Sequence, residues 1–215
     1  MMKLPRSFYT RSALVVAPEL LGKQFVRTFG DLSLRGMITE VEAYMGAEDP
    51  ASHAYRGQTM RNALMFGNGG HLYVYFTYGM HYCANAVTGG PGIAQAVLFR
   101  AVAPLEGIET MLEHRTASLV KNDPGSAKKL AAIEKHLTDG PAKFCQAFAI
   151  DRRDHGTDLC GNEIYILDAP PIPRRLVHRS ARIGISAGKE HEWRFFLDPA
   201  TVEKYRAGRK YIVVR

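Results

Sequence analysis

Leu72-Tyr73-Val74-Tyr75-Phe76-Thr77-Tyr78-Gly79-Met80-His81-Tyr82-Cys83 holds four of the chain's ten tyrosines. Residues 71–78 are aromatic and β-branched and read as a strand. Residues 81–87 read as the next strand, Gly89-Gly90-Pro91-Gly92 as a turn, and 94–102 as a third strand. Strands that follow one another in hairpins, without regular alternation with helices, predict an α+β fold with a largely antiparallel sheet. Each buried phenol needs a hydrogen-bond partner, so a core strand seldom gathers so many. A surface that stacks on flat polar rings does, since base stacking on an aromatic side chain is worth roughly 1–3 kcal/mol. Taken alone, the segment reads better as an interior strand that happens to be aromatic; the net charge and an acidic strand upstream shift the balance.

Working outward, residues 12–21 read as a helix capped by Ser12 and ended at Gly22, with Pro18 marking either an internal break or a later start. Residues 23–29 and 32–44 read as a hairpin about Gly30-Asp31. Residues 50–71 form a long polar, Gly-rich loop with a helical turn near 59–66; such loops are usually functional. Downstream helices are predicted at 104–115, with Leu105, Ile108, Met111 and Leu112 on one face, at 126–137, and at 141–150 with Phe144 and Phe148 in one stripe. Short strands are expected at 163–167, 193–197 and 211–214. No linker or repeat interrupts the chain, so one domain is expected over residues 1–215.

The charge narrows the partner. There are 28 Lys+Arg against 21 Asp+Glu, a net +7 with a pI near 9.4. That balance favours a polyanion, either nucleic acid or an acidic membrane surface. Cys83, Cys145 and Cys160 are odd in number and widely spaced, which argues against a disulfide framework or a zinc ribbon and for a reducing, intracellular setting. The Met-Met-Lys-Leu-Pro-Arg start has no apolar signal core, and no apolar run approaches ~18 residues, so no membrane span is expected.

Thr39-Glu40-Val41-Glu42-Ala43-Tyr44 places Glu40 and Glu42 on one strand face, which by strict alternation Leu34 and Ile38 share. A carboxylate on a partly apolar face is costly unless paired or used. It becomes either a general acid or base or the partner of an arginine. Glu40, Glu42, Glu48, Asp49 and His53 could hold Mg²⁺ or Mn²⁺ as in a nuclease, but no tight ligand spacing supports a metal, and a metal-free site ranks above it.

Glu42-Ala43-Tyr44, His53, Thr59-x-Arg61-Asn62, Tyr73-Val74-Tyr75-Phe76-Thr77-Tyr78-Gly79-Met80 and Asn85 occur in that order. Leu98-Phe99-Arg100-Ala101, Pro104-Leu105-Glu106-Gly107, Gly140-Pro141-Ala142-Lys143-Phe144-Cys145-Gln146-Ala147 and Ala181-Arg182-Ile183-Gly184 follow. Together they resemble the alkyladenine (3-methyladenine) DNA glycosylases of the mammalian N-methylpurine type, over nearly the whole chain. The resemblance implies a mixed α/β domain that binds duplex DNA and flips a damaged purine out of the stack; nothing in the sequence calls for dimerisation, and a monomer is expected. It implies Tyr78 as the wedge that fills the hole, and Met80, His81, Arg61 and Lys143 as DNA contacts. Tyr44, His53 and Tyr75 would surround the flipped base, and Asn85 would crowd the 2-amino group of guanine. Glu42 would be the general base, with Arg100 and the backbone carbonyl of Ile183 holding its water. A monofunctional enzyme without metal or cofactor is implied. Met60 departs from the family, where Pro often precedes Arg-Asn.

Overall fold

The structure is a computed structural model that describes residues 1–117 and 126–210. Short α1 (Arg6–Tyr9) leads into α2 (Ala13–Leu20), whose Ser12 cap accepts from Leu14 N–H. Pro18 does not break α2. It removes a single bond from a short helix held down by buried Val16, Ala17 and Leu20.

β1 (Gln24–Phe29) and β2 (Leu32–Tyr44) form the expected hairpin, with Phe29 opposite Leu32. β3 (Leu72–Thr77) and β4 (His81–Thr88) form the second, and β5 (Gln95–Glu106) the next strand. β5 runs four residues further than the sequence suggested. Pro104 and Leu105 are therefore strand residues, and α3 starts later, at Ile108–Thr116. Pro104 is tolerated because it pairs with Gly36 at a bulge, where a missing N–H matters least. Gly107, in the left-handed region, then turns the chain into α3.

α4 (Ser126–Lys135) and α5 (Pro141–Ala147) follow as anticipated, α5 with its end three residues earlier. β6 (Ile164–Leu167) and β8 (Arg194–Phe196) were expected; β7 (His178–Ser180) and α6 (Pro199–Lys210) were not. The strand expected at 211–214 lies outside the described residues.

Among the described residues, the eight strands make one antiparallel sheet in the order β3-β4-β5-β2-β1-β6. β2 is long enough to serve two neighbours on one edge. Gln24–Phe29 covers its first half, and β8, itself paired to β7, covers Glu40–Glu42. The core lies where Phe25 meets Phe144 and Phe99 edge-to-face, at 4.9 and 5.2 Å between ring centroids.

One irregularity decides where the chemistry sits. Leu34 and Ile38 are in the core, but so are Val41 and Ala43. The core-facing side of β2 therefore switches from even to odd residue numbers. The cause is a register shift between Ile38 and Val41, and β5 makes the matching switch between Phe99 and Val102. Glu40, Glu42 and Arg100 are thereby turned to the face opposite the core. The expectation that Glu40 and Glu42 share a face with Leu34 and Ile38 fails, because a bulge adds a residue that simple alternation does not count.

Candidate active site

A cavity of about 470 Å³ opens on that opposite face. Its walls come from the β3–β4 hairpin, the end of β2, the middle of β5, residues 50–53 and residues 183–186. Of the side chains singled out in the sequence, Tyr44, His53, Tyr75, Tyr78, Asn85, Arg100 and Ile183 line it. Arg61, Met80, His81 and Lys143 do not.

Glu42 lies beneath the floor and is fully buried. Its Oε1 accepts from Ile183 N–H at 2.8 Å and lies 3.2 Å from Arg100 Nη1. Its Oε2 accepts from the Tyr44 hydroxyl at 2.9 Å. A carboxylate oxygen can accept two bonds, so Oε2 retains capacity for one more donor. The Ile183 contact runs through its amide N–H.

Arg100 is itself held. Its Nε donates to Glu40 Oε1 at 2.6 Å, and Arg194 Nε donates to the same oxygen at 2.7 Å. Burial alone would raise the Glu40 pKa, but the hydrogen bonds from Arg194 and Arg100 outweigh it and hold Glu40 below its ordinary value. Burial opposes the charge on Arg100, yet Glu42 and Glu40 keep its pKa above the usual arginine value. The arginine partnership foreseen for the acidic strand is found at both carboxylates. Glu40 is bracketed by arginines, and Glu42 is paired while facing a cavity floor.

The ring walls are ordered. His53 Nδ1 lies 3.1 Å from the Tyr73 hydroxyl, and its ring meets Tyr75 edge-on at 4.5 Å. Surrounding protein, with help from Arg61, pushes the His53 pKa down, which keeps its ring neutral. Burial pushes the Tyr44 and Tyr75 phenols up, so both are neutral. Asn85, nearly buried, donates to Tyr73 O at 3.1 Å.

At the hairpin tip, Met80 N–H bonds Thr77 O, and Tyr78 and Gly79 both have positive φ, 51° and 68°. A bulky residue rarely adopts that conformation. Tyr78 is nonetheless 79% exposed, and Met80 66%. Arg61 reaches Phe76 O at 3.4 Å behind this tip. Lys143 is paired with Asp139 at 2.7 Å on the short α5.

Sequence reading missed three supports. Buried Asn62 ties its loop together through His53 O, Gly57 O and Thr59 N–H. Arg194 completes the Glu40 cluster. Arg182 and Asp49 form a fully buried pair, Nη2 to Oδ1 at 2.7 Å. Asn62 and Arg182 stood in quoted motifs, but nothing local marks Arg182 as a partner for a residue 133 positions away.

Of the four carboxylates considered for a metal, Glu40, Glu42 and Asp49 are each engaged by arginine. No group of three His, Cys, Asp or Glu suited to a metal occurs among the described residues. Among those residues no helix is long and apolar enough to cross a membrane.

Comparison with known proteins gives a match of residues 7–201 to the family model described as Methylpurine-DNA glycosylase (MPG). The chain is 47% identical over 197 residues to a protein of Carboxydothermus hydrogenoformans, covering 91% of this chain and 95% of that one. It is 45% identical over 209 residues to one from Streptomyces avermitilis, covering 95% and 92%. A protein of Chlorobium luteolum is 42% identical over 208 residues, covering 96% and 99%. All three bear the name "Putative 3-methyladenine DNA glycosylase".

Proposed function

The chain belongs to the methylpurine-DNA glycosylase family, whose members in these comparisons are bacterial, and from that premise we propose a monofunctional base-excision mechanism centred on Glu42. The protein is a DNA N-glycosylase of DNA repair. In the proposed mechanism it flips alkylated or deaminated purines, 3-methyladenine and hypoxanthine among them, out of duplex DNA. Water then hydrolyses the N-glycosidic bond and leaves an abasic site.

One observation carries this reading. A fully buried carboxylate is fixed by donors from three separate segments, directly beneath an aromatic cavity. Glu42 activates a water bound at its remaining acceptor site, with Arg100 and the Ile183 carbonyl as the water's other partners. Its charge also stabilises the oxocarbenium-like sugar as the bond breaks. The flipped base lies between Tyr44 and Tyr75, with His53 at its side. A purine alkylated at N3 or N7 is cationic, and an aromatic pocket favours it by about 0.5–2 kcal/mol. Neutral His53 adds no repulsion. Asn85 crowds the guanine 2-amino group and biases the site towards adenine-type lesions and hypoxanthine.

Flipping costs a few kcal/mol of unstacking, which Tyr78 offsets by filling the vacated space. A rigid phenol loses little entropy on insertion. Met80 and His81 follow the minor groove, and Arg61 and Lys143 contact phosphates. The protein acts as a monomer inside the cell, without metal or cofactor.

The test is single-turnover base release from a duplex with one hypoxanthine and from methylated DNA, in excess EDTA. Release by the wild type that is lost in Glu42→Gln is expected. Damage-selective binding without release would make the protein a reader of damage, and strand cleavage only on adding Mg²⁺ would make it a nuclease.

A further inference from the structure

Tyr44 lines the cavity, and its ring also carries Arg182, whose guanidinium carbon is 4.6 Å from the ring centroid. Arg182 itself is not among the residues that line the cavity. A base stacked on Tyr44 must take the opposite face of the ring, because the guanidinium occupies this one. The same guanidinium carbon is 5.0 Å from the Trp193 ring centroid, and Trp193 stacks in turn on His191 at 3.9 Å and 5°. The cation thus lies over two rings, with Asp49 bound to it and Ala43 O accepting from Nη1 at 3.0 Å. Both charged side chains are fully buried.

A cation behind an aromatic ring draws π density towards itself. The face left for a second cation is then less attractive, and two like charges on either side of the ring repel. Asp49 offsets the repulsion, but the positive end of the pair is the one against Tyr44. A neutral base pays neither penalty. Building on the base site proposed above, we infer that the Arg182–Asp49 pair is a specificity-determining element: it trims the pocket's preference for cationic purines and so lets neutral lesions compete. Arg182 acts through Tyr44 and is a positioning residue for it.

The measurement is the ratio of single-turnover rates on two duplexes, one with cationic 7-methylguanine and one with neutral hypoxanthine. Asp49→Asn leaves the arginine charge uncompensated, and the cationic-to-neutral ratio should fall about three- to tenfold. The double variant Arg182→Gln/Asp49→Asn removes both charges, and the ratio should rise by a similar factor. Breaking a buried pair singly can unfold a protein, whereas neutralising both partners is better tolerated. If circular dichroism shows Asp49→Asn unfolded, the double variant decides alone. A support role only would slow both lesions equally and leave the ratio at its wild-type value, which overturns the inference while sparing the glycosylase reading. A wild type that releases neither base overturns both.

Discussion

Glu40 illustrates what one residue contributes without touching the cavity. It holds Arg100 by Nε, which leaves the Nη1 end of that guanidinium free to meet Glu42. Its carboxylate titrates below the ordinary glutamate value of 4.5 because two arginines favour its charged form. A carboxylate depressed in this way contributes its stability above the unfolded-state pKa and loses it as pH falls through the folded-state value. Glu40→Gln should therefore be less stable than wild type at pH 7, by about 1–3 kcal/mol for its charged hydrogen bonds. The difference should shrink as pH drops below 4.5. Thermal unfolding of both proteins from pH 7 to pH 3 checks this. A gap that stays constant across that range would mean that the charge on Glu40 does nothing for the fold.

At the scale of elements, the β3–β4 tip couples strain to exposure. Tyr78 occupies a left-handed conformation that costs of order 1–3 kcal/mol for a bulky residue, yet its ring points into solvent. Glycine takes that conformation freely, although it loses more entropy on folding. Tyr78→Gly should leave thermal stability unchanged or raise it by up to about 1 kcal/mol, while base release from duplex DNA falls at least about tenfold. A loss of stability parallel to the loss of activity would make Tyr78 an ordinary structural residue. This hairpin was legible because its residues alternate and end at Tyr78-Gly79, and the Gly30-Asp31 hairpin was legible for the same reason. The bulges of β2 and β5 were not, since period two cannot reveal an extra residue, and with them went the true facing of Glu40 and Glu42. Pro104 misled because a proline early in an amphipathic stretch reads as a helix start, and only its pairing with Gly36 makes it a strand residue. β7 offers just His178, Arg179 and Ser180, too polar and short to read as a strand. The cavity's rings could be read from the chain, but the Arg182–Asp49 pair behind them required the tertiary fold.

For the whole molecule, the question is how a net +7 is spent. Much of the basic charge is already committed: Arg100 to Glu40 and Glu42, Arg182 to Asp49, Arg194 to Glu40, and Arg27 to Asp154 at 2.8 Å. The charge that can meet DNA is therefore smaller than composition implies, and it differs from one site to the next. Each phosphate neutralised releases counterions and adds about 0.9 to the slope of log affinity against log salt. Arg61 is exposed beside the hairpin tip, its one hydrogen bond among the described residues a long contact to Phe76 O, and should supply close to a full increment. Lys143 should supply less, because Asp139 already neutralises part of its charge and must be displaced by a phosphate. Arg174 lines a different cavity, with Pro18 of α2 and Phe195, and should supply none. Binding of a damage-containing duplex, measured from 50 to 200 mM salt, should therefore give slopes flattened by about one in Arg61→Gln, by a fraction of that in Lys143→Gln, and not at all in Arg174→Gln. A slope in Arg61→Gln equal to that of wild type would take Arg61 out of the DNA interface, and a flattened slope in Arg174→Gln would mean that DNA wraps beyond the cavity face.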